Sequence, residues 1–154
     1  MAAGWRLQDA RHAAHAFSGE GARRSRGRWN SRGTAMVYLS QHQSLTVLEV
    51  FVRRRPFLPG PGFVLIGASW DEKLMKALSP SELPADWRSL PQGLATAAIG
   101  DAWAKEARSA VLAVPSAIVP AETNYLINPA HPDFRRIKIG KPEPFGFDPR
   151  LLQR

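Results

Sequence analysis

Residues 26–40 read RGRWNSRGTAMVYLS, and the way this stretch divides governs how the rest of the chain is read. Its apolar end, residues 34–40 (TAMVYLS), is β-prone and bounded by Gly33 and polar residues, which predicts a strand. Its front end crowds Arg28, Trp29, Asn30, Arg32 and Gly33 where a short polar turn would suffice. Nine residues beyond Ser40 stands Glu49, inside SLTVLEVFV. Ser44 can cap a helix starting at Leu45, with Leu45, Leu48 and Val52 on one side at helical periodicity. The alternation of Leu48, Val50 and Val52 also permits a strand. On the helical reading Glu49 lies about 40° from Leu45, at the edge of the apolar arc.

Outward from this stretch, residues 18–33 (SGEGARRSRGRWNSRG) read as a Gly/Ser/Arg loop. PFLPG (56–60) is a Pro/Gly break before a short strand, FVLIG (63–67). Residues 79–91, with three prolines, form a loop, and 92–107 (QGLATAAIGDAWAKEA) a helix with Leu94, Ala98 and Trp103 facing inward. SAVLAVPSAIV (109–119) is a buried strand that Pro115 interrupts, leaving Ser116 just past the break. NYLINPAHPDF is turn-rich, RRIKI a short basic strand, and the tail Pro-rich. Short strands and two or three helices without regular βαβ alternation indicate a mixed α+β domain.

A chain of 154 residues with 44% hydrophobic content suits one domain, 1–154, with a core of its own. The absence of cysteine excludes disulfides, thiol nucleophiles and thiolate metal sites. No apolar run reaches the roughly 20 residues that span a bilayer, so no membrane association is expected. The Ala- and Arg-bearing start, MAAGWRLQDARHAAHAF, is faintly leader-like, but Asp9 and the lack of a serine-rich run argue against a targeting segment. Net charge is +8 and uneven: residues 1–55 hold ten arginines against Asp9, Glu20 and Glu49. Such a balance suits nucleic acid, an acidic protein or a phosphate-bearing small molecule.

His12, His15, His42 and His131 are the only histidines, and no carboxylate completes a metal set around them, so no metal is expected. Neither phosphate-loop glycine pattern follows a strand, and no GxSxG elbow occurs. Arg23, Arg24, Arg26, Arg28 and Arg32 interleaved with Trp29 keep a nucleic-acid-binding module open. Taken together, Arg28, Tyr38, Glu49 and Ser116 have the parts for cleaving an N-glycosidic bond in a nicotinamide dinucleotide. A guanidinium can grip a diphosphate, a tyrosine face can stack on a flat cation, and a carboxylate can stabilise charge at an anomeric carbon. A serine hydroxyl can orient the leaving amide. The same residues also have a bland reading, with Tyr38 in the core, Glu49 paired to a nearby arginine and Ser116 starting a turn.

The chain resembles the RES-domain family nearly end to end. The resemblance is carried by WRL at 5–7, SGEGAR at 18–23, GRWNSRGTAMVYLS at 27–40 and SLTVLEV at 44–50. It continues through GDAW at 100–103, VPSAIVPAETNYLINPAHPDF at 114–134 and FDPRL at 147–151, with 56–91 matching weakly. SRGRW departs from the more usual Gly-Gly-Arg-Trp and adds Arg26 at the mouth of the site. The resemblance implies an α+β, ADP-ribosyltransferase-like domain with a split, curved sheet flanked by helices. It implies a cytoplasmic toxin of a bacterial toxin–antitoxin pair that depletes NAD+ by hydrolysis or phosphorolysis. Arg28, Tyr38, Glu49 and Ser116 are then the catalytic and NAD-binding residues, with no cofactor because NAD+ is the substrate. Asn124, Tyr125 and Asn128 also match and are expected to shape the floor of the site. The implied partner is an Xre-type helix-turn-helix antitoxin, in a complex that can be dimeric and that meets DNA through the antitoxin. ADP-ribose transfer to a macromolecular acceptor is the alternative chemistry.

Overall fold

In the computed structural model, which describes residues 1–54 and 62–152, AAGWRLQD forms a strand, β1 (Ala2–Asp9). A five-residue helix, α1 (Glu20–Arg24), interrupts the polar segment read as a continuous loop. There follow β2 (Val37–Ser40), α2 (Gln43–Arg54), β3 (Phe63–Trp70), β4 (Met75–Ala77), α3 (Leu94–Lys105), β5 (Val111–Pro115), β6 (Thr123–Ile127), β7 (Lys138–Ile139) and β8 (Glu143–Phe145). The break expected at PFLPG lies outside the described residues.

The strands make one mixed sheet in the order β4-β5-β6-β2-β1-β3-β7, with β8 also on β3. Only β4 and β5 run parallel; the other pairings are antiparallel. β1 pairs with β3 from Ala2↔Trp70 to Asp9↔Phe63, and β2 with β6 from Val37↔Ile127 to Ser40↔Asn124. Between β1 and β2 the register holds a single pair, Trp5↔Ser40. The sheet is therefore split at this joint, as expected for the α+β class, and the split shapes the site described below.

Period-2 alternation sorts the strand residues into separate cores. Val37, Leu39, Val111, Tyr125 and Ile127 pack with Trp70 on one face, where the Tyr125 and Trp70 rings meet edge to face at 4.9 Å. Leu112, Val114 and Leu126 point the other way, onto Trp29, Met36 and Trp103. Leu7, Val50, Phe63 and Leu65 form a third cluster, closed by Phe145 and Phe147 of the tail.

Several expectations need correction. The segment around Glu49 is the expected helix, starting at Gln43, but its buried residues are Leu45, Thr46 and Val50, while Leu48 and Val52 face solvent. Thr46 decides the orientation, since its hydroxyl donates to the carbonyls of His42 and Trp5 and lays this side of α2 on β1. Glu49 falls between Leu45 and Thr46 around the helix, inside the inward arc. In α3 the inward residues are Thr96, Ala97, Gly100 and Trp103; Leu94 and Ala98 are exposed. NYLI is a central strand, not a turn, because β2 and β5 pair with it on both sides. The strand of 109–119 stops at Pro115, and the basic strand shortens to Lys138–Ile139 because Arg135 and Arg136 sit in a 3-10 turn. Another such turn, Pro80–Glu82, lies within the loop of 79–91.

Asp9 ends β1, accepting from the Arg11 backbone N–H at 2.9 Å and pairing with its guanidinium at 2.9 Å. These bonds pull its carboxyl down to about 2. A depressed carboxyl stabilises the fold above its unfolded value and loses that contribution as pH falls. Asp9→Asn is therefore expected to lower the melting temperature at pH 7. It should also flatten the acid loss of stability between about pH 4 and 2, readable in a thermal melt series.

Candidate active site

The alternation that builds the core beneath α3 also aims Tyr38, Ser40, Asn124 and Val114 toward one face of the sheet, with Ser116 just past the end of β5. Helix α2 brings Glu49 to these residues. The Ser116 hydroxyl donates to Glu49 Oε1 at 2.9 Å, and Asn124 Nδ2 donates to the same oxygen at 2.8 Å. Ser40 in turn donates to Asn124 Oδ1 at 2.8 Å, which fixes the amide's orientation. Ser116 is wholly buried, and its oxygen accepts from the Ile118 and Val119 N–H groups, each at 3.1 Å. Its one proton is thus committed to Glu49. Among the described residues Oε2 of Glu49 has no hydrogen-bond partner, so one carboxylate oxygen is anchored and the other is free to bind.

The turn carrying Arg28 is held from behind by Tyr38. The Tyr38 hydroxyl donates to Asn30 Oδ1 at 2.6 Å and accepts from the Trp29 N–H at 3.1 Å. Asn30, fully buried, spends its amide hydrogens on the carbonyls of Ala22, Ser25 and Ser31. Position 27 must be glycine, since a Cβ there would lie 2.6 Å from both the Tyr38 hydroxyl and Asn30 Oδ1. Burial raises the Tyr38 phenol well above its usual range, so the hydroxyl is a structural donor and the ring is what remains to offer a ligand. Trp29 is only 3% exposed, packed on Trp103 and Leu126, and is no platform for a nucleic-acid base.

Burial lowers the Arg28 pKa from the usual arginine value, with the charge of Glu49 acting against it. Its Nη1 donates to the carbonyls of Trp87 at 2.7 Å and Ser89 at 3.2 Å, leaving the rest of the guanidinium fork for a ligand. Arg88, between them, donates to the Ala117 carbonyl beside Ser116 at 3.0 Å. The segment 87–89 therefore spans from the Arg28 turn to the Ser116 turn. Arg26, the departure from the usual pattern, is engaged by the carbonyls of Gln92 and Gly93.

Of the four residues singled out from sequence, Glu49 and Ser116 are in direct contact, Tyr38 holds the turn that carries Arg28, and the segment 87–89 joins that turn to the Ser116 turn. Sequence reading missed Arg6. Its Nη1 crosses the split to the Tyr38 carbonyl at 3.0 Å, its Nη2 donates to Gln8 Oε1 at 3.0 Å, and its Nε is buried with no partner. No described carboxylate pairs with it. Burial, with Arg53 facing it, pushes the guanidinium down to about 10. Arg53 lies one helical turn beyond Glu49. An isolated charge of this kind is costly to keep. Only the split between β1 and β2 could have signalled it.

An anchored carboxylate, the half-buried Arg6 and the arginine Arg28 can hold an anionic, ribose-bearing ligand. No group of three or more His, Asp or Glu side chains converges to hold a metal among the described residues. The shallow apolar groove lined by Trp5, Gly67, Ala68 and Ile139 contains none of the groups above.

The family model described as the RES domain matches residues 3–148. The chain belongs to the RES domain family. This RES domain is 41% identical to a protein named "Prs ADP-ribosylating toxin" from Sphingobium sp. (strain YBL2), over 97% of this chain and 96% of that protein. It is 36% identical to a "Toxin Res" of Yersinia enterocolitica, over 96% and 97% of the two chains. Its fold is similar to that in the crystal structure of the M. tuberculosis MbcT–MbcA toxin–antitoxin complex, with a TM-score of 0.77 and 17% identity. That likeness covers 98% of this chain and 86% of the other.

Proposed function

We propose that this RES domain is a toxin that cleaves the nicotinamide–ribose bond of NAD+. The observation that carries the reading is the Glu49 carboxylate, with Oε1 fixed by Ser116 and Asn124 and Oε2 left open. Glu49 Oε2 accepts a ribose hydroxyl and stabilises the positive charge that develops at the anomeric carbon. The C–N bond breaks, and its electron pair leaves with the pyridinium ring, which becomes neutral nicotinamide. Water then attacks the anomeric carbon and gives up a proton, yielding ADP-ribose; inorganic phosphate in its place yields ADP-ribose-1″-phosphate. Arg28 and Arg6 take the diphosphate, and the Tyr38 ring packs on nicotinamide or its ribose. Ser116 acts through Glu49 and through the turn it pins. NAD+ is the substrate, and the reaction draws on no other cofactor.

A macromolecular acceptor for the ADP-ribose is the second reading, favoured by the name of the Sphingobium relative. The partner proposed is an antitoxin, by analogy with the complex whose fold this chain shares, and an Xre-type helix-turn-helix protein is the kind expected. Among the described residues no helix is long and apolar enough to cross a membrane.

Asn124→Ala tests the anchor. Losing one hydrogen bond to a charged group, about 1.5–3 kcal/mol, corresponds to roughly a 10- to 100-fold fall in kcat. KM should change little, because the free oxygen still meets the ribose. An Asn124→Ala enzyme with wild-type kcat in a nicotinamide-release assay would show that Glu49 needs no such anchor. Ser116→Ala should match the loss of activity and also cost stability, about 1 kcal/mol, because two partly buried N–H groups lose their acceptor.

A further inference from the structure

The GDAW motif at 100–103 has no part in the chemistry above, yet its side chains converge behind the Arg28 turn. α3 meets the turn at consecutive positions. Gly100 lies so close that a Cβ there would collide with the Trp29 carbonyl oxygen. Asp101 Oδ1 accepts from the Ser31 N–H at 2.9 Å, and its charge also faces Tyr38. Trp103 packs against Trp29 in the same cluster, with its indole N–H tied to Ser109 at 2.8 Å. The turn is therefore held at two points just past Arg28: Trp29 through its carbonyl and ring, Ser31 through its amide.

We infer that Gly100 and Asp101 are positioning residues for Arg28, setting the affinity of the site for the diphosphate of its substrate. Neither residue touches the substrate. Helix α3 is the rigid element, and the Ser31–Asp101 bond, contributed across 70 residues of sequence, fixes the turn's rotation on it. A guanidinium that binds two phosphate oxygens at once loses more from a tilt of its backbone than a point charge does. Loosening the turn should therefore weaken ground-state binding and leave the Glu49 chemistry alone. This inference rests on the NAD+-cleaving reading.

The test compares Asp101→Ala, Asp101→Asn and Arg28→Ala, singly and Asp101→Ala combined with Arg28→Ala, in steady-state NAD+ cleavage alongside thermal melts. Asp101→Ala should raise KM for NAD+ about tenfold with kcat within about twofold, the signature of lost binding that is equal in ground and transition states. Asp101→Asn keeps an oxygen that accepts from Ser31 and should restore KM. In the Arg28→Ala background, Asp101→Ala should add nothing, because its effect passes through Arg28. An unchanged KM in Asp101→Ala overturns the inference, as does a KM effect that adds in full to that of Arg28→Ala. If Asp101→Ala does not fold, Asp101→Ser takes its place with the same outcomes. A wild-type protein that neither cleaves NAD+ nor binds ADP-ribose in calorimetry sinks the proposed function itself. Cleavage by wild type and Asp101→Ala with equal KM sinks the positioning role alone.

Discussion

Replacing Glu49 by Gln is expected to lower kcat for NAD+ cleavage by on the order of 1,000-fold and to leave the protein folded. The amide matches the carboxylate in volume and still presents an oxygen to Ser116 and Asn124, whose bonds to Oε1 are 2.9 and 2.8 Å. What it lacks is the negative charge opposite the anomeric carbon. That charge is worth most as the oxocarbenium-like transition state forms, so the loss should fall on kcat far more than on KM. Stability should move by no more than about 0.5 kcal/mol, since no buried group is stranded. Nicotinamide release by the purified variant measures the first expectation and a thermal melt the second. In cells, overproduced Glu49→Gln should not arrest growth where the wild type does.

Arg6→Met should separate stability from activity in the opposite sense. The wild-type guanidinium keeps one buried N–H without a partner and has no described carboxylate to neutralise it. Methionine fills a similar volume with no charge to desolvate, and replacing buried ionic groups in this way is often stabilising by about 1–4 kcal/mol. The variant should therefore melt higher than the wild type, while kcat/KM for NAD+ falls on the order of 100-fold with loss of a charge-assisted phosphate contact. The pH dependence carries a matching sign. Burial holds Arg6 down to about 10 in the folded protein, below the ordinary arginine value. The cost of its charge is then present at neutral pH and is relieved as pH rises above about 10. Wild type should gain stability relative to Arg6→Met on entering that alkaline window. A Met variant that is both less stable and fully active would mean that Arg6 is a structural strut.

Much of the fold could be read from local chemistry where local chemistry decides it. TAMVYLS is a strand in its last four residues, and the Ser44-led segment is a helix, because both patterns match what neighbouring elements demand. Reading failed where tertiary contacts chose between equal local options. Leu48 and Val52 looked inward by periodicity, yet α2 is turned so that Thr46 and Glu49 face the sheet. That orientation leaves Leu48 and Val52 exposed and turns a carboxylate toward the sheet, a local conflict that periodicity alone does not foresee. NYLI sits among asparagines and prolines that advertise turns, and only pairing on both edges makes it a strand. The grouping of Arg28, Tyr38, Glu49 and Ser116 came from family resemblance, and spacing alone left it open. Arg6 and the anchoring role of Asn124 depend on how β1, β2, α2 and β6 meet, which no spacing along the chain encodes.

Chromatography of NAD+ incubated with the purified protein, freed of any antitoxin, tests the central claim most directly. The account predicts loss of NAD+ with stoichiometric release of nicotinamide, the ribose end appearing as ADP-ribose, or as ADP-ribose-1″-phosphate when phosphate is supplied. Glu49→Gln should leave NAD+ at its starting level over the same period. Intact NAD+ at high wild-type enzyme concentration, with wild type and Glu49→Gln indistinguishable in cells, would contradict it.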